Sequence, residues 1–232
     1  MNHDADDLRP HAANTPTPHT EDFALSRTRV VMARSNVAGA RVLFLGDSIT
    51  QGFEVEDGAA LWKEKLLPLG AVNLGVSGER TEHLLWRLDH GQLDGYAASA
   101  SPPKLVVLLL GTNNFGYGVP STPLEVAQGL DAIVASIRRQ LPTTRVLVLA
   151  IFPRSRNPAV APEWIPRANA LGKEGLAKHG ERVRFADFGR EFLTADGAVS
   201  TELLPDGLHL SAAGYRVWWE RLEPLLVELL SD

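Results

Sequence analysis

Arg41-Val-Leu-Phe-Leu-Gly-Asp-Ser-Ile-Thr-Gln-Gly52 runs an apolar strand pattern straight into a turn of small residues that carries a hydroxyl. Such a turn presents its serine, Ser48, at the edge of a sheet. Outward from it, residues 105–110, 146–150 and 183–186 form further apolar runs, with a weaker one at 71–74. Leu105-Val-Val-Leu-Leu-Leu110 is apolar at every position instead of alternating, the pattern of a strand covered on both faces, as strands of parallel sheets are.

Helical patterns lie between these runs. Thr122-Pro123-Leu124-Glu125 combines a cap residue, a proline suited to the first helical position and a capping-box glutamate. The helix starting there carries Ala127, Leu130, Val134, Ile137 and Leu141 as one apolar stripe and ends near Pro142. Ser211 can cap a final helix whose Trp218, Leu222, Leu225 and Leu229 share a face, with Pro224 expected to kink or split it. Strand–helix alternation predicts a three-layer α/β/α sandwich with right-handed crossovers around a parallel sheet of about five strands. In such folds the loops after the strand C-termini carry the chemistry, here residues 46–50, 75–80 and 111–114.

At 232 residues, 44% hydrophobic and 22% charged, the chain is the size of one domain, expected over residues 21–232. Residues 1–20, rich in His, Asp, Asn, Thr and Pro, read as a disordered leader without the basic start and apolar stretch of a secretory signal. A net charge of −5 leaves no basic stripe, so no nucleic-acid partner is expected. There is no cysteine, which removes disulfides and thiolate chemistry and fits a cytoplasmic location. No apolar run approaches the roughly 20 residues of a membrane span.

A serine hydroxyl is a poor nucleophile until a base takes its proton, and histidine is the first candidate. His3, His11 and His19 sit in the leader, His83 and His90 flank a helical segment, and His179 lies near a polar helix end. Only His209 follows a loop with an acid, in Asp206-Gly-Leu-His209. An aspartate three residues earlier can turn its carboxylate onto the imidazole and fix its tautomer. Attack on an ester also needs donors for the oxyanion. Gly75-Val-Ser-Gly78-Glu79-Arg80 offers a close backbone N–H and Gly111-Thr-Asn113-Asn114 a side-chain amide, although each taken singly reads as an ordinary turn.

Together these segments resemble the SGNH/GDSL hydrolase superfamily, whose four blocks carry Ser, Gly, Asn and His. Gly46-Asp-Ser48-Ile matches the first, Asn73-Leu-Gly-Val-Ser-Gly78-Glu the second, Gly111-Thr-Asn113-Asn the third and Asp206-Gly-Leu-His209 the fourth. The resemblance implies a flavodoxin-like sandwich with Ser48 as nucleophile, His209 as general base and acid, and Asp206 as orienting carboxylate. Ser48 N–H, Gly78 N–H and the Asn113 side chain would form the oxyanion hole. Glu82-His-Leu-Leu-Trp86-Arg-Leu-Asp-His-Gly-Gln-Leu93 and Leu110-Gly-Thr-Asn-Asn114 are similar to the catalytic subunits of intracellular platelet-activating-factor acetylhydrolase. That subgroup implies short acyl groups, chiefly acetyl, on a small-molecule ester of a carbohydrate or lipid, and a possible homodimer. A lysophospholipase or thioesterase would need a longer acyl channel, and a catalytically silent binding subunit would not need the intact set. The chemistry calls for no cofactor, and no core residues have metal-ligand spacing.

Other residues read differently. Asp47 is expected to accept loop N–H groups, and Glu79 to pair locally with Arg80. Trp86, with Leu85 and Leu88, reads as core packing. Phe152-Pro-Arg-Ser-Arg-Asn-Pro158 and Trp164-Ile-Pro166 form a proline-rich loop in which Arg154 and Trp164 are candidates to contact the leaving alcohol.

Overall fold

The computed structural model describes residues 12–116, 120–157 and 159–231. Strands β1 (Val42–Gly46), β2 (Ala71–Asn73), β3 (Leu105–Leu109), β4 (Arg145–Leu149) and β5 (Val183–Ala186) form one parallel sheet in the order β2-β1-β3-β4-β5. Each expected run became a strand within a residue or two of its predicted bounds. β1 and β3 are neighbours in register from Val42↔Leu105 to Gly46↔Leu109, so both strands end together. At that point the chain order reverses, and a crevice opens where ligands bind in sheets of this order.

Alternation along the strands sorts the helices into two layers. Leu43, Leu45, Val106, Leu108, Val146 and Val148 face α1 (Asp22–Ala33), α3 (Thr81–Asp89), α4 (Pro123–Gln140) and α5 (Trp164–Leu176). Val42, Phe44, Val107, Leu109 and Leu147 face α2 (Ser48–Val55), the turn at Trp62–Leu66 and α6 (Ala212–Ser231). Each large apolar side chain buried this way contributes about 1.5–3 kcal/mol relative to exposure.

Local signals set the helix ends. Thr122 Oγ1 accepts from Glu125 N–H at 3.3 Å while the Glu125 carboxylate accepts from Thr122 N–H at 2.6 Å, and α4 stops at Gln140 before Pro142. Ser211 Oγ accepts from Gly214 N–H at 3.2 Å at the start of α6. Of the two outcomes expected at Pro224, a kink or a split, the split does not occur: α6 runs unbroken through it from Ala212 to Ser231. Pro224 lies on an exposed face, where the Glu220 carbonyl left without a partner can turn to water.

Residues 12–20, expected to be disordered, are instead packed on the body, and residues 1–11 lie outside the described ones. Ala13 is buried, Thr81 Oγ1 donates to its carbonyl at 2.7 Å, and Thr17 N–H donates to the Glu82 carbonyl at 3.1 Å. Trp86 also departs from expectation. It is half-buried and stacked on His90 with ring centres 3.9 Å apart, because Arg87 takes the inward position of α3.

Candidate active site

β1 delivers its last residue directly to the crevice. A Cβ on Gly46 would lie 2.3 Å from both the Leu109 carbonyl and Thr50 Oγ1, so only glycine lets this turn close against β3. Asp47 caps α2 by accepting from Ile49 N–H at 3.0 Å, as expected of a structural acceptor. Ser48 is the first residue of α2 and remains partly open to solvent.

The loop before α6 brings the second half. Ser48 Oγ lies 2.9 Å from His209 Nε2, and His209 Nδ1 lies 2.7 Å from Asp206 Oδ2. Asp206 Oδ1 accepts from the N–H groups of His209 and Leu208 at 2.7 and 3.0 Å, which locks the loop around the carboxylate. Burial works to raise the Asp206 pKa, but the His209 and Leu208 N–H groups and the imidazole outweigh it and hold it below the usual carboxylate range. An ionised carboxylate only accepts, so Nδ1 carries the proton and Nε2 is left as the acceptor for the Ser48 hydroxyl. Tyr215 OH donates to the Ile49 carbonyl at 2.8 Å, tying α6 to α2 and fixing the distance between the halves.

The turns after β2 and β3 are joined to each other. Gly78 adopts a left-handed φ of +73°, and Asn113 Nδ2 donates to the Glu79 carbonyl at 3.0 Å. That bond uses one of the two amide hydrogens of Asn113. Glu79 does not pair with Arg80. Its carboxylate takes Arg87 Nε and Nη2 at 2.7 and 2.6 Å, both side chains being almost wholly buried, while Arg80 pairs with Glu82 at 2.7 Å. Arg87 also donates to the Leu74 carbonyl at 3.0 Å and to Gln92. The side of the turn facing α1 has a second anchor: Asn73 accepts from Gly75 N–H and donates to the Thr50 carbonyl, with Arg27 and Glu54 around it.

Burial pushes the Asp47 carboxyl up to about 7, with Glu79 adding to the rise and the Ile49 N–H and Arg154 opposing it. Burial likewise raises Glu79 against the pull of Arg87.

Arg154 and Trp164 fall in different places. Arg154 Nη1 donates to the Thr112 carbonyl and hydroxyl at 2.9 and 3.1 Å, so this nitrogen holds the turn that carries Asn113. It also lines a cleft of about 410 Å³ with Pro153, Val160, Ile165, Leu193 and Val199. Trp164 packs on Phe115 with ring centres 5.8 Å apart and lines a separate depression with Leu124 and Arg167. Arg156 went unnoticed in the sequence. Its guanidinium donates to Asp206 Oδ2 at 2.5 Å and lies 3.2 Å from His209 Nδ1, and Gly207 accepts from its N–H and that of Ser155. Its place in the proline-rich loop was the available signal.

A hydroxyl bonded to an imidazole that is oriented by a carboxylate, at the C-terminal edge of a parallel sheet, is the architecture of a serine hydrolase of SGNH type. The chain belongs to the GDSL-like Lipase/Acylhydrolase family, whose model matches residues 44–217, and it is a carboxylic ester hydrolase of that family. It is 37% identical over 191 residues to platelet-activating factor acetylhydrolase IB subunit alpha1 of Bos taurus, covering 82% of this chain and 77% of the relative. A solved structure from Streptococcus pneumonia, described as a platelet activating factor, superposes with a TM-score of 0.69 at 27% identity, covering 88% of this chain and 94% of that one. Est24, a carbohydrate acetylesterase from Sinorhizobium meliloti, shares the fold with a TM-score of 0.59 at 21% identity over 82% of this chain and 99% of its own.

Proposed function

We propose that the chain hydrolyses short-chain acyl esters, acetyl above all, through an acyl-enzyme on Ser48. The observation that carries this reading is the unbroken relay from Ser48 Oγ to His209 at 2.9 Å and from His209 to Asp206 at 2.7 Å. His209 Nε2 takes the Ser48 proton as Oγ attacks the ester carbonyl. The tetrahedral oxyanion is received by Ser48 N–H, Gly78 N–H and the remaining Asn113 amide hydrogen, each such donor contributing about 3–4 kcal/mol. Nε2–H then protonates the leaving alcohol as the C–O bond breaks. Water, deprotonated by the same nitrogen, attacks the acyl-enzyme, and Ser48 recovers its proton when the acid departs.

The cleft beside Arg154 is mostly apolar at its walls, and because neither Ser48 nor His209 lines it, it bears on the leaving alcohol only through Arg154. The names of the relatives, an acetylhydrolase subunit and a carbohydrate acetylesterase, support acetyl as the group removed. Initial rates of wild type and Ser48→Ala on p-nitrophenyl acetate, butyrate and octanoate test the reading. A rate that falls with acyl length and is lower by several orders of magnitude in the folded variant is expected. Preference for octanoate would replace it with a lysophospholipase or thioesterase, and equal turnover by Ser48→Ala would remove Ser48 from the chemistry.

A further inference from the structure

Residues 12–23 precede the segment matched by the family model, yet they close over the outer side of the turn that holds Gly78. The segment is pinned at Ala13 and Thr17, both on the first turn of α3. A Cβ on Gly129 would lie 2.5 Å from the Ala13 carbonyl, so α4 receives the segment closely as well. Between these pins and α1 sits His19, only 6% exposed. Its ring lies 4.3 Å from that of His83 and meets Phe23 edge-on at 5.6 Å.

His19 is an unusual residue to bury here. Its Nδ1 accepts from Glu21 N–H at 3.4 Å, and its other side meets the backbone of Ser77 and Gly78. Burial lowers the His19 pKa, against Glu21 and the Ser77 and Gly78 backbone. Burial likewise takes His83 down to about 3, so the two rings meet as neutral imidazoles, their planes inclined at 36°. What His19 faces is the Gly78 turn. A Cβ on Gly78 would meet the Phe23 ring at 2.7 and 2.8 Å and His19 Nε2 at 3.3 Å.

Gly78 has no side chain to fix its own conformation and sits at φ +73°, a region glycine enters and leaves readily. An oxyanion donor must be aimed before the charge develops. Asn113 and the Glu79–Arg87 pair hold the following residue, and the face of Gly78 turned away from them is closed by His19 and Phe23. We propose that His19, backed by Phe23, is a positioning residue: a wedge that keeps the Gly78 peptide oriented as an oxyanion donor, making the N-terminal segment part of the catalytic apparatus. The inference rests on the acyl-enzyme reading of Ser48.

The test compares full-length wild type, His19→Ala, His19→Phe and Phe23→Ala on p-nitrophenyl acetate, with Ser48→Ala as blank and rates normalised to the sites titrated by a phosphonate ester. Losing one oxyanion donor outright costs about 10²–10³ in kcat, so a loosened one is expected to cost His19→Ala about tenfold in kcat with KM within twofold. Phe23→Ala, an exposed position that spares the fold, should lose a smaller part in the same way. His19→Phe, which refills the wedge, should recover most of the rate. Unchanged kcat in both alanine variants overturns the inference, as does a loss expressed in KM or one that disappears on normalisation. A wild type without Ser48-dependent turnover sinks the esterase reading itself and this inference with it. Full turnover in His19→Ala beside an active wild type sinks the inference alone.

Discussion

Asp47 and Ser48 are adjacent in sequence and opposite in environment. Ser48 opens toward solvent and His209, whereas Asp47 is 1% exposed and its carboxyl is pushed up to about 7. The raised value means that the folded chain keeps a proton the unfolded chain releases near 3.8. This contribution to stability is complete below that point and is lost as pH rises through about 7, by at most about 1.4 kcal/mol per pH unit within the window. Asp47→Asn keeps an acceptor for Ile49 N–H and removes the titration. Wild type is expected to be most stable relative to Asp47→Asn near pH 4 and least near pH 8, and a difference in melting temperature that is flat across this range would contradict the assignment. Arg156 shows the reverse case, a charge whose effect is limited by water. Its pairing with Asp206 is about half exposed on both sides, so its electrostatic contribution is of the small order typical of surface pairs.

At the scale of elements, α4 was legible because its signals are local: a cap, a proline, a capping-box glutamate and a stripe at spacings of three and four all lie within the helix. The strands were legible because sheets covered on both faces demand unbroken apolar runs. The clustering of Ser48, His209 and Asp206 as a candidate site was legible because each member follows a strand or precedes a helix in a short motif. What stayed hidden depends on distant surfaces. Nothing in Leu-Leu-Trp-Arg-Leu announces that Arg87 points inward and Trp86 sideways, since the partner, Glu79, comes from a turn before the helix. Likewise, His- and Pro-rich composition conveys no groove on α3 and α4 to receive residues 12–20. The Arg87–Glu79 pair joins α3 to the Gly78 turn, and removing one partner leaves a buried charge uncompensated. Arg87→Met is therefore expected to destabilise by about 3–5 kcal/mol in urea unfolding, with Arg87→Met/Glu79→Leu less destabilised than the single variant. A single variant that loses under 1 kcal/mol would show that water replaces the guanidinium.

For the whole molecule, the sheet is shared property. Neighbouring residues of β1, β3 and β4 point into opposite layers, so neither helical layer can leave without exposing half of every central strand. Ser48, the proposed nucleophile, inherits this coupling, because α2 lies in one layer while the Gly78 turn is held by α1 and α3 in the other. Tryptophans report the layers unequally. Trp62, Trp218 and Trp219 belong to the layer of α2 and α6, Trp164 packs against the other, and Trp86 lies half-buried on α3. Leu130 on α4 is buried in the layer opposite the three clustered tryptophans, and Leu130→Ala should cost about 2–5 kcal/mol. If the sheet couples the layers into one cooperative unit, the urea midpoint of Leu130→Ala falls equally by tryptophan fluorescence and by far-ultraviolet circular dichroism. A fluorescence midpoint that stays at the wild-type value while the circular dichroism midpoint drops would mean that the layers unfold separately. The strands would then be too weak a link to explain how residues from both layers hold the candidate site within hydrogen-bond distance.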